Sequence, residues 1–292
     1  MGLCSSSTAL EGGGGEGGEG GLAINTTPSL ALRLNKRADI LRRIFSFHKM
    51  RNPKHYYDIR SFSKLFHRAL PQPPPLFTSF PNSNHATLQS LVNRLEELRG
   101  DEKSSGNVPS VLFIEEGEHG GEGNYIKVKK PLSMYGAGRG MTTLVGVGLE
   151  IQGNKSDGIV KIEDLTIKGA EGSGLWAYNG MNVIMRGCSV EECEGSGVQA
   201  YNADISCDDL QVVGCGMSGV YASTNATITL SGQGTNIQGN VTKGRSDDYG
   251  LKAYSLNFSS AKIHLVHPLT KEQISTNNGG GGNWGGRRGA IE

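Results

Sequence analysis

Short runs in which apolar and polar residues alternate fill the chain from about residue 110 onward. Ile205 with Cys207, and Ile228 with Leu230, are examples in which two apolar side chains enclose one polar residue. A period of two over a few residues is typical of β-strands that bury one face. Stretches rich in Gly, Asn and Ser separate the runs, so the pattern predicts many short strands joined by turns.

Three nearly identical pentapeptides indicate that these strands belong to a repeat. SGLWA at 173–177, SGVQA at 196–200 and SGVYA at 218–222 place their glycines 23 and then 22 residues apart, and a looser copy, YGLKA at 249–253, follows after 31 residues. A repeat of this length cannot bury its apolar side alone, so successive copies must stack and share one core. The sequence therefore predicts a solenoid in which each repeat forms one coil of a parallel β-helix.

Longer stretches of the chain resemble a known superfamily. VLFIEEGEH at 111–119, IKVKKPLSMYGAGRGMTTLVG at 126–146 and VKIEDLTIKGA at 160–170 are similar to the right-handed parallel β-helix, or pectin-lyase-like, superfamily. The resemblance covers residues 108 to about 275. It implies an all-β fold class, a right-handed parallel β-helix solenoid, which we expect to carry short N-terminal helices and disordered termini.

The repeats also predict what lies inside the coils. Cys193 and Cys215 each stand four residues before a repeat glycine, and Ala170 holds the equivalent place one repeat earlier. We expect these small side chains to form one inward-facing column, with the cysteines as buried free thiols that fill the core. The five cysteines lack the spacing of a common zinc module, so no metal and no other cofactor is expected.

Composition divides the chain into six segments. These are a disordered Gly-rich tail at 1–30, a basic helical segment at 31–70, a Pro-rich linker at 71–85, a capping helix at 86–99, the β-helix at 108–275 and a Gly-rich C-terminal tail at 276–292. The capping helix is predicted because Leu88, Leu91, Val92, Leu95 and Leu98 fall on one face. A helix just ahead of the first coil is well placed to cover its apolar end.

The segment 31–70 differs from the rest of the chain in charge. It contains eleven Lys or Arg and two Asp, while the whole chain has a net charge of +1. Two short amphipathic helices are predicted within 38–70, where DILRRIFSF at 39–47 and DIRSFSKLFHRAL at 58–70 resemble an F-box. The F-box family docks apolar side chains on the Skp adaptor of cullin-RING ubiquitin ligases, a helix-in-groove mode of binding. The corresponding partner-binding residues are Ile40, Leu41, Ile44, Phe45, Phe62, Leu65 and Phe66.

Two other interpretations of this segment stay open. The Leu-Pro opening of the F-box is replaced by Lys36-Arg37-Ala38, so one alternative is a basic helical pair that covers the open end of the solenoid. The excess of basic residues would also suit contacts with phosphate groups. No zinc-finger, RNP or helix-turn-helix signature accompanies it, so nucleic acid is the least favoured partner.

The first seven residues, MGLCSSS, match a lipidation signal. Gly2 with Ser6 in the hydroxyl position is the N-myristoylation pattern, and Cys4 is placed for palmitoylation. A chance match is the alternative. Two acyl chains anchor a protein stably, whereas one does so only marginally. The N-terminus lacks the apolar region of a secretory signal, so we expect an intracellular, cytoplasmic protein held at a membrane surface by acylation.

No reactive cluster is evident along the predicted strands. The acidic pairs Asp208-Asp209 and Asp247-Asp248 are adjacent in sequence, so on a strand their carboxylates point to opposite faces, and in a turn they satisfy backbone donors. Hydrolysis of a glycan needs two carboxylates across a cleft, and a lyase needs a base beside Ca²⁺-binding acids. We therefore assign no catalytic residue. A polysaccharide lyase or glycoside hydrolase of the superfamily is the alternative function.

The variable fourth position of the repeat predicts a ladder on the surface. Trp176, Gln199, Tyr221 and Lys252 share this position, and their apolar neighbours vary little. Alternation therefore sends them outward, one per coil at the ~4.8 Å spacing of strands. The functional hypothesis is a non-catalytic scaffold that binds a protein or a glycan, with a substrate-recognition subunit of a ubiquitin ligase as one specific form. A solvated face with incidental aromatic residues is the other interpretation of the ladder.

Overall fold

The computed structural model describes residues 77–100, 108–121, 123–256 and 259–292. The segments 1–30 and 31–70, with the lipidation and F-box-like residues named above, lie outside these ranges. In chain order the elements are β1 (Phe77–Phe80), α1 (Leu88–Gly100), β2 (Val111–Ile114), β3 (Gly117–Gly120), β4 (Tyr125–Val128), β5 (Ser133–Tyr135), β6 (Thr142–Val145), β7 (Gly148–Gln152), a 3₁₀ turn (Lys155–Asp157), β8 (Ile159–Glu163), β9 (Thr166–Lys168), β10 (Leu175–Tyr178), β11 (Asn182–Arg186), β12 (Ser189–Glu191), β13 (Val198–Tyr201), β14 (Asp204–Asp208), β15 (Gln211–Val213), β16 (Val220–Ser223), β17 (Thr227–Ser231), β18 (Asn236–Gln238), β19 (Leu251–Tyr254), β20 (Lys262–Leu265), α2 (Lys271–Ile274), β21 (Ser275–Thr276), β22 (Trp284–Arg287) and β23 (Ala290–Ile291).

Three parallel sheets make up the fold, and the chain visits them in a fixed order. Sheet A has nine strands in the order β1-β2-β5-β8-β11-β14-β17-β20-β23, sheet B has seven from β3 to β21, and sheet C has seven from β4 to β22. From β2 onward each coil adds one strand to sheet A, one to sheet B and one to sheet C before the next coil begins. The predicted parallel solenoid is therefore confirmed.

The pentapeptide repeats lie directly above one another in sheet C. The backbone N–H of Leu175 donates to the carbonyl oxygen of Gly197 at 2.9 Å, and the N–H of Val198 donates to that of Gly219 at 2.9 Å. The looser copy at 249–253 joins the same stack, because β19 pairs in parallel with β16. The predicted register thus holds across the 31-residue interval, and the additional residues leave the stack at the corner between sheets B and C.

The core is a set of stacked rows of apolar side chains inside the coils. In sheet A, one row includes Val183, Ile205, Ile228 and Ile263, which pair strand to strand and are at most 1% exposed. Removing a side chain of this size from water stabilises the fold by roughly 1.5–3 kcal/mol. Each coil buries apolar surface of the coils on either side of it, which explains why a single repeat is not a stable unit.

Ala170, Cys193 and Cys215 form the predicted inward column. The backbone N–H of Glu194 donates to the carbonyl oxygen of Ala170 at 2.8 Å, and that of Gly216 donates to Cys193 at 2.7 Å, so the three residues occupy one position in consecutive coils. All three side chains are buried, and the cysteines are free thiols.

Two asparagines continue this column at the C-terminal end. Asn240 accepts a hydrogen bond from the backbone N–H of Cys215 at 3.0 Å through Oδ1, and its Nδ2 donates to the carbonyl oxygen of Val212 at 3.1 Å. Asn278 occupies the next place and accepts from the backbone N–H of Asn240 at 2.9 Å. The column therefore changes from small apolar side chains to a hydrogen-bonded ladder.

Helix α1 covers the N-terminal end of the stack. Its apolar face is buried, through Leu88, Leu91, Val92 and Leu95. The polar side of the helix lies against β4, the edge strand of sheet C, where Gln89 Oε1 accepts from the backbone N–H of Lys127 at 2.6 Å. Side chains of α1 thus occupy backbone groups that another strand would otherwise pair. Neither α1 nor α2 is long and apolar enough to cross a membrane, within the residues that the structure describes.

The segment predicted as a linker at 71–85 contains a strand. Phe77–Phe80 form β1, which pairs in parallel register with β2, and the N–H of Glu115 donates to the carbonyl oxygen of Phe80 at 2.9 Å. The prolines of the segment lie outside β1, so its four residues keep the donors that a sheet requires. Four residues of the segment predicted as a Pro-rich linker are therefore a paired strand of sheet A.

The C-terminal stretch at 276–292 also differs from the prediction of a disordered Gly-rich tail. It forms β22 on sheet C and β23 on sheet A, and Trp284 pairs with Leu251 of the preceding coil. The glycines are needed for close approach: a Cβ on Gly285 would overlap the Tyr249 ring, and one on Gly286 would overlap the Ala253 carbonyl. High glycine content here allows packing because neighbouring groups fill the space of the missing side chains.

Candidate functional site on the outward face of sheet C

The predicted ladder lies on the outward face of sheet C. Strand pairing places Trp176 beside Gln199, Gln199 beside Tyr221 and Tyr221 beside Lys252. Their neighbours along each strand point into the buried core. The four residues therefore form one row of outward side chains on consecutive coils.

A second outward row, two positions further along the strands, was missed by the sequence analysis. It runs from Tyr178 to Tyr201, Ser223 and Tyr254 in the same strand order. The repeated Ala-Tyr-Asn after the first two pentapeptides was the available signal. Four consecutive strands, β10, β13, β16 and β19, thus each carry an outward aromatic side chain at the ~4.8 Å spacing of strands. We call this set the aromatic strip: Trp176, Tyr178, Tyr201, Tyr221 and Tyr254.

Trp176 is held between two other rings. Its ring centroid lies 4.6 Å from that of Tyr178, nearly parallel, and 6.0 Å from that of Tyr125, at a tilt of 53°. The indole Nε1 is buried and has no hydrogen-bond partner within the described part of the chain. Trp176 is therefore a packed anchor of the strip, whereas Tyr201, at 44% exposure, is open to solvent.

Tyr125 reaches across two coils to make this contact. Its hydroxyl oxygen accepts a hydrogen bond from the backbone N–H of Ser173 at 2.7 Å. The ring lies over Gly148 and Gly172, where an added Cβ would overlap it. Two glycines and one backbone donor therefore fix the position of Tyr125 at this end of the strip.

Lys252 is less exposed than the ladder prediction implied. It is only 8% exposed, and its Nζ lies 3.0 Å from Asp248 Oδ1 and 3.7 Å from Asp247 Oδ2. The same Nζ lies 4.8 Å from the ring centroid of Tyr221, a cation–π contact. The corner segment 239–250 folds its two aspartates back over β19, so Lys252 points outward yet is covered.

Glu150 and Lys127 extend the ladder beyond Trp176, on β7 and β4. Its Oε1 accepts a hydrogen bond from the hydroxyl of Tyr178 at 2.8 Å, and its Oε2 lies 3.9 Å from Lys127 Nζ. Burial raises the pKa of Tyr178, and the hydrogen bond and negative charge of Glu150 raise it further. Tyr178 therefore stays a neutral donor over the physiological pH range. Each cation of the ladder is paired with a carboxylate.

A groove adjoins this end of the strip. It has a volume of about 550 Å³ and lies between α1 and the outward side chains of β4 and β7. Its lining consists of Gln89, Asn93, Glu96, Gly123, Asn124, Tyr125, Lys127, Lys129 and Glu150. Because Tyr125 and Glu150 also contact the strip, the groove and the strip form one continuous surface.

Sheet A carries a charged row that the sequence analysis also missed. Pairing aligns Tyr135, Glu163, Arg186, Asp208 and Ser231 on its outward face. Arg186 lies 3.6 Å from Glu163, and the Ser231 hydroxyl donates to Asp208 at 3.0 Å. Among the described residues no group of three acidic, His or Cys side chains is arranged to hold a metal ion.

The acidic pairs considered from sequence have backbone and ion-pair roles. Asp209 lies in the turn after β14 with φ 52°, and its Oδ1 accepts from the N–H of Gly234 at 2.8 Å. Asp248 pairs with Lys252 and accepts a hydrogen bond from Ser218 at 2.8 Å. Neither pair places two carboxylates across a cleft.

Comparison with known proteins bears on the fold. Residues 146–266 match the family described as right handed beta helix region. These residues form a right-handed β-helix. The matched part of the β-helix includes the whole aromatic strip, while β4 and α1 lie before it. No curated protein and no solved structure matches the chain.

Proposed function

We propose that the protein is a non-catalytic scaffold whose sheet C binds an extended, neutral glycan along the aromatic strip. The observation that carries the proposal is the outward aromatic side chain on each of four consecutive strands. Aromatic rings with hydroxyl groups offer both an apolar surface and hydrogen-bonding edges. Neighbouring strands lie ~4.8 Å apart along the stack, which is close to the length of one pyranose unit in an extended β-linked chain. Successive sugars can therefore contact successive coils.

The dimensions of the strip favour a glycan over a folded protein. Four strands at ~4.8 Å spacing and two positions along each strand give a strip of roughly 14 Å by 7 Å. A stable protein interface buries about 800 Å² on each partner, far more than the ~100 Å² of sheet that this strip covers. A linear glycan is narrow enough for the strip to contact it along its length.

The charges around the strip favour a neutral ligand. Lys127 and Lys252 are the cations of the ladder, and both lie within 4 Å of carboxylates, on Glu150 and on Asp248. An acidic polysaccharide would have to compete with these carboxylates for each lysine. Neutral hydroxyl groups meet no such competition, so a neutral chain is the expected ligand class.

Calorimetric titration with neutral and acidic oligosaccharides tests the proposal. Cellohexaose, mannohexaose and laminarihexaose are the neutral probes, and a hexagalacturonate is the acidic one. We expect at least one neutral hexaose to bind, and Tyr201→Ala and Tyr221→Ala each to weaken binding roughly five- to tenfold. Gln211→Ala, an outward position on sheet B, is the matched control and should leave affinity unchanged. Failure of all three neutral hexaoses to bind would remove the proposal.

Polysaccharide cleavage is the second candidate function, because of the charged row on sheet A. Glu163 and Asp208 occupy the same outward position two strands apart, which is ~9.6 Å at the strand spacing and close to the upper end of the carboxylate separation in inverting hydrolases. Arg186 lies between them. Release of reducing ends or unsaturated uronates by the wild type, and its loss in Asp208→Asn, would support this function over non-catalytic binding.

The basic segment carries a separate proposal, from its sequence alone. Residues 38–70 resemble an F-box, so the chain is proposed to recruit a Skp-type adaptor and to present a bound target to a ubiquitin ligase. Pull-down with a Skp adaptor should capture the full chain and fail with Ile44→Asp. Absence of capture by the wild type would exclude the adaptor role and leave the glycan proposal intact.

Acylation of the N-terminus, and with it a cytoplasmic, membrane-associated location, is likewise proposed from sequence. Gly2 and Cys4 supply the two acceptor positions. Metabolic labelling with a myristate analogue should mark the wild type and not Gly2→Ala. Labelling with a palmitate analogue should be lost in Cys4→Ser.

A further inference from the structure

The groove beside α1 lies at one end of the aromatic strip, where the helix blocks the continuation of sheet C. Gln89 of α1 bonds both the N–H and the carbonyl oxygen of Lys127, at 2.6 and 3.3 Å, and Glu96 accepts from the backbone N–H of Lys129. The helix therefore occupies the space that a further coil would fill. A chain running along the strip towards β4 meets α1 as a wall.

The groove and the strip share residues, so one ligand can contact both. Glu150 lines the groove and accepts the hydrogen bond of Tyr178, which belongs to the strip. Tyr125 lines the groove and contacts the ring of Trp176. A ligand on the strip and a ligand in the groove would therefore contact some of the same side chains.

The chemistry of the groove suits the hydroxyl-rich end of a neutral chain. Its volume of about 550 Å³ falls within the range of small-molecule sites. Two lysines and two glutamates line it, so their formal charges cancel. Asn93 and Asn124 are exposed at its rim. The Oδ1 of Asn93 accepts from Gln89 Nε2 at 2.7 Å, so Asn93 offers its Nδ2 as a donor to sugar hydroxyls, whereas an amide such as that of Asn124 can both donate and accept.

From this arrangement we propose that the groove holds the terminal sugar of a neutral glycan whose preceding units lie on the aromatic strip. The protein then recognises the end of a chain rather than an internal stretch. This inference rests on the proposed function of the strip, and it adds a direction: the chain enters from the side of β19 and ends at α1. The amides of Asn93 and Asn124 bond hydroxyls of the terminal unit.

End-blocked ligands test the inference by calorimetry on the full chain. The probes are the neutral hexaose that binds most tightly, its methyl glycoside at the reducing end, and its derivative methylated at the terminal hydroxyl of the non-reducing end. We expect one of the two blocked forms to bind about tenfold more weakly than the free hexaose and the other to bind as the free hexaose does. The weaker form identifies which end enters the groove.

Variants in the groove provide the second arm. Asn93→Ala combined with Asn124→Ala should weaken binding of the free hexaose about twentyfold and remove the difference between free and blocked forms. Arg94→Ala, on the solvent side of the same helix, is the control and should retain both. Equal affinity for all three probes, with dependence on Tyr201 preserved, would overturn end recognition and leave glycan binding standing. Failure of every neutral hexaose to bind would overturn both.

Discussion

The side-chain oxygen of Asn278 accepts hydrogen bonds from both the backbone N–H and the side-chain amide of Asn240, at 2.9 and 3.0 Å. Asn240 is 1% exposed. Its own side chain bonds the backbone N–H of Cys215 and the carbonyl oxygen of Val212 in the preceding coil. A buried amide ladder thus replaces apolar packing where the column nears the C-terminal coil. The bonds satisfy the backbone N–H of Cys215, which follows β15 at the corner of the coil, and add a donor to the carbonyl oxygen of Val212 within β15.

Replacing Asn240 by leucine should therefore destabilise the solenoid. The substitution preserves size but leaves the buried N–H of Cys215 without its acceptor and removes the bonds to Val212 and Asn278, and a buried unsatisfied group costs about 1–3 kcal/mol. We expect the free energy of unfolding, measured with urea, to fall by about 3 kcal/mol. Asn236→Leu, at an outward position of β18, is the control. Equal losses in the two variants would show that the ladder contributes nothing specific.

Alanine at Gly197 should be poorly tolerated despite its small size. A Cβ at this position would overlap the Val212 side chain and would lie 2.6 Å from the carbonyl oxygen of Gly219. Overpacking of this kind costs about 1–3 kcal/mol, which should appear as a lower midpoint of urea unfolding. Gly100→Ala adds a methyl group with nothing within 4 Å and should be neutral or slightly stabilising. A midpoint unchanged in Gly197→Ala would mean that neighbouring coils move apart freely.

The buried thiol of Cys188 predicts a loss of stability at alkaline pH. Burial raises the pKa of this thiol from 9.0 to about 11. Between these values the unfolded chain has released the proton and the folded chain retains it, so the free energy of unfolding falls as the pH rises. The loss attributable to Cys188 amounts to about 3 kcal/mol. Chemical unfolding at pH 8, 9, 10 and 11 of the wild type and Cys188→Ala should give curves that converge with rising pH; parallel curves would contradict the prediction.

The ion pair of Lys252 with Asp248 should be strongly coupled. Both side chains are largely buried, with 10% and 7% exposure, and removing one partner leaves a charge without compensation. Lys252→Met should therefore destabilise the protein by about 3–5 kcal/mol. Combining it with Asp248→Asn should restore much of that loss, because no uncompensated charge remains. A double-mutant cycle measured by urea unfolding checks this, and additive losses would refute the coupling.

The strand register was predictable from sequence because the pentapeptide repeat marks one position in every coil. Once Gly174 and Gly197 are aligned, alternation decides which neighbours point inward, and the column of Cys193 and Cys215 follows. The outward row of Trp176 was predictable for the same reason. These features depend only on the period of the repeat and on the alternation of a strand.

Contacts that join distant parts of the chain were not predictable in this way. Tyr125 reaches Trp176 only because Gly148 and Gly172 leave space, and nothing in the repeat links these positions. The burial of Lys252 depends on the path of an inserted segment. The pairing of α1 with β4 likewise depends on how the helix docks, although its apolar stripe predicted the helix itself.

The corner between sheets B and C absorbs the segment 239–250 while β18 and β19 keep their places in the stack. The number of residues at this corner can therefore vary without disturbing the stacking of the strands. A change in the number of residues within a strand would disturb it. We expect foreign sequences such as an epitope or a fluorescent reporter to be tolerated at the exposed residues 242–247 of this corner, which lie between the buried side chains of Val241 and Asp248. The same freedom gives natural variation a place to change what lies over Lys252 while the scaffold beneath stays fixed.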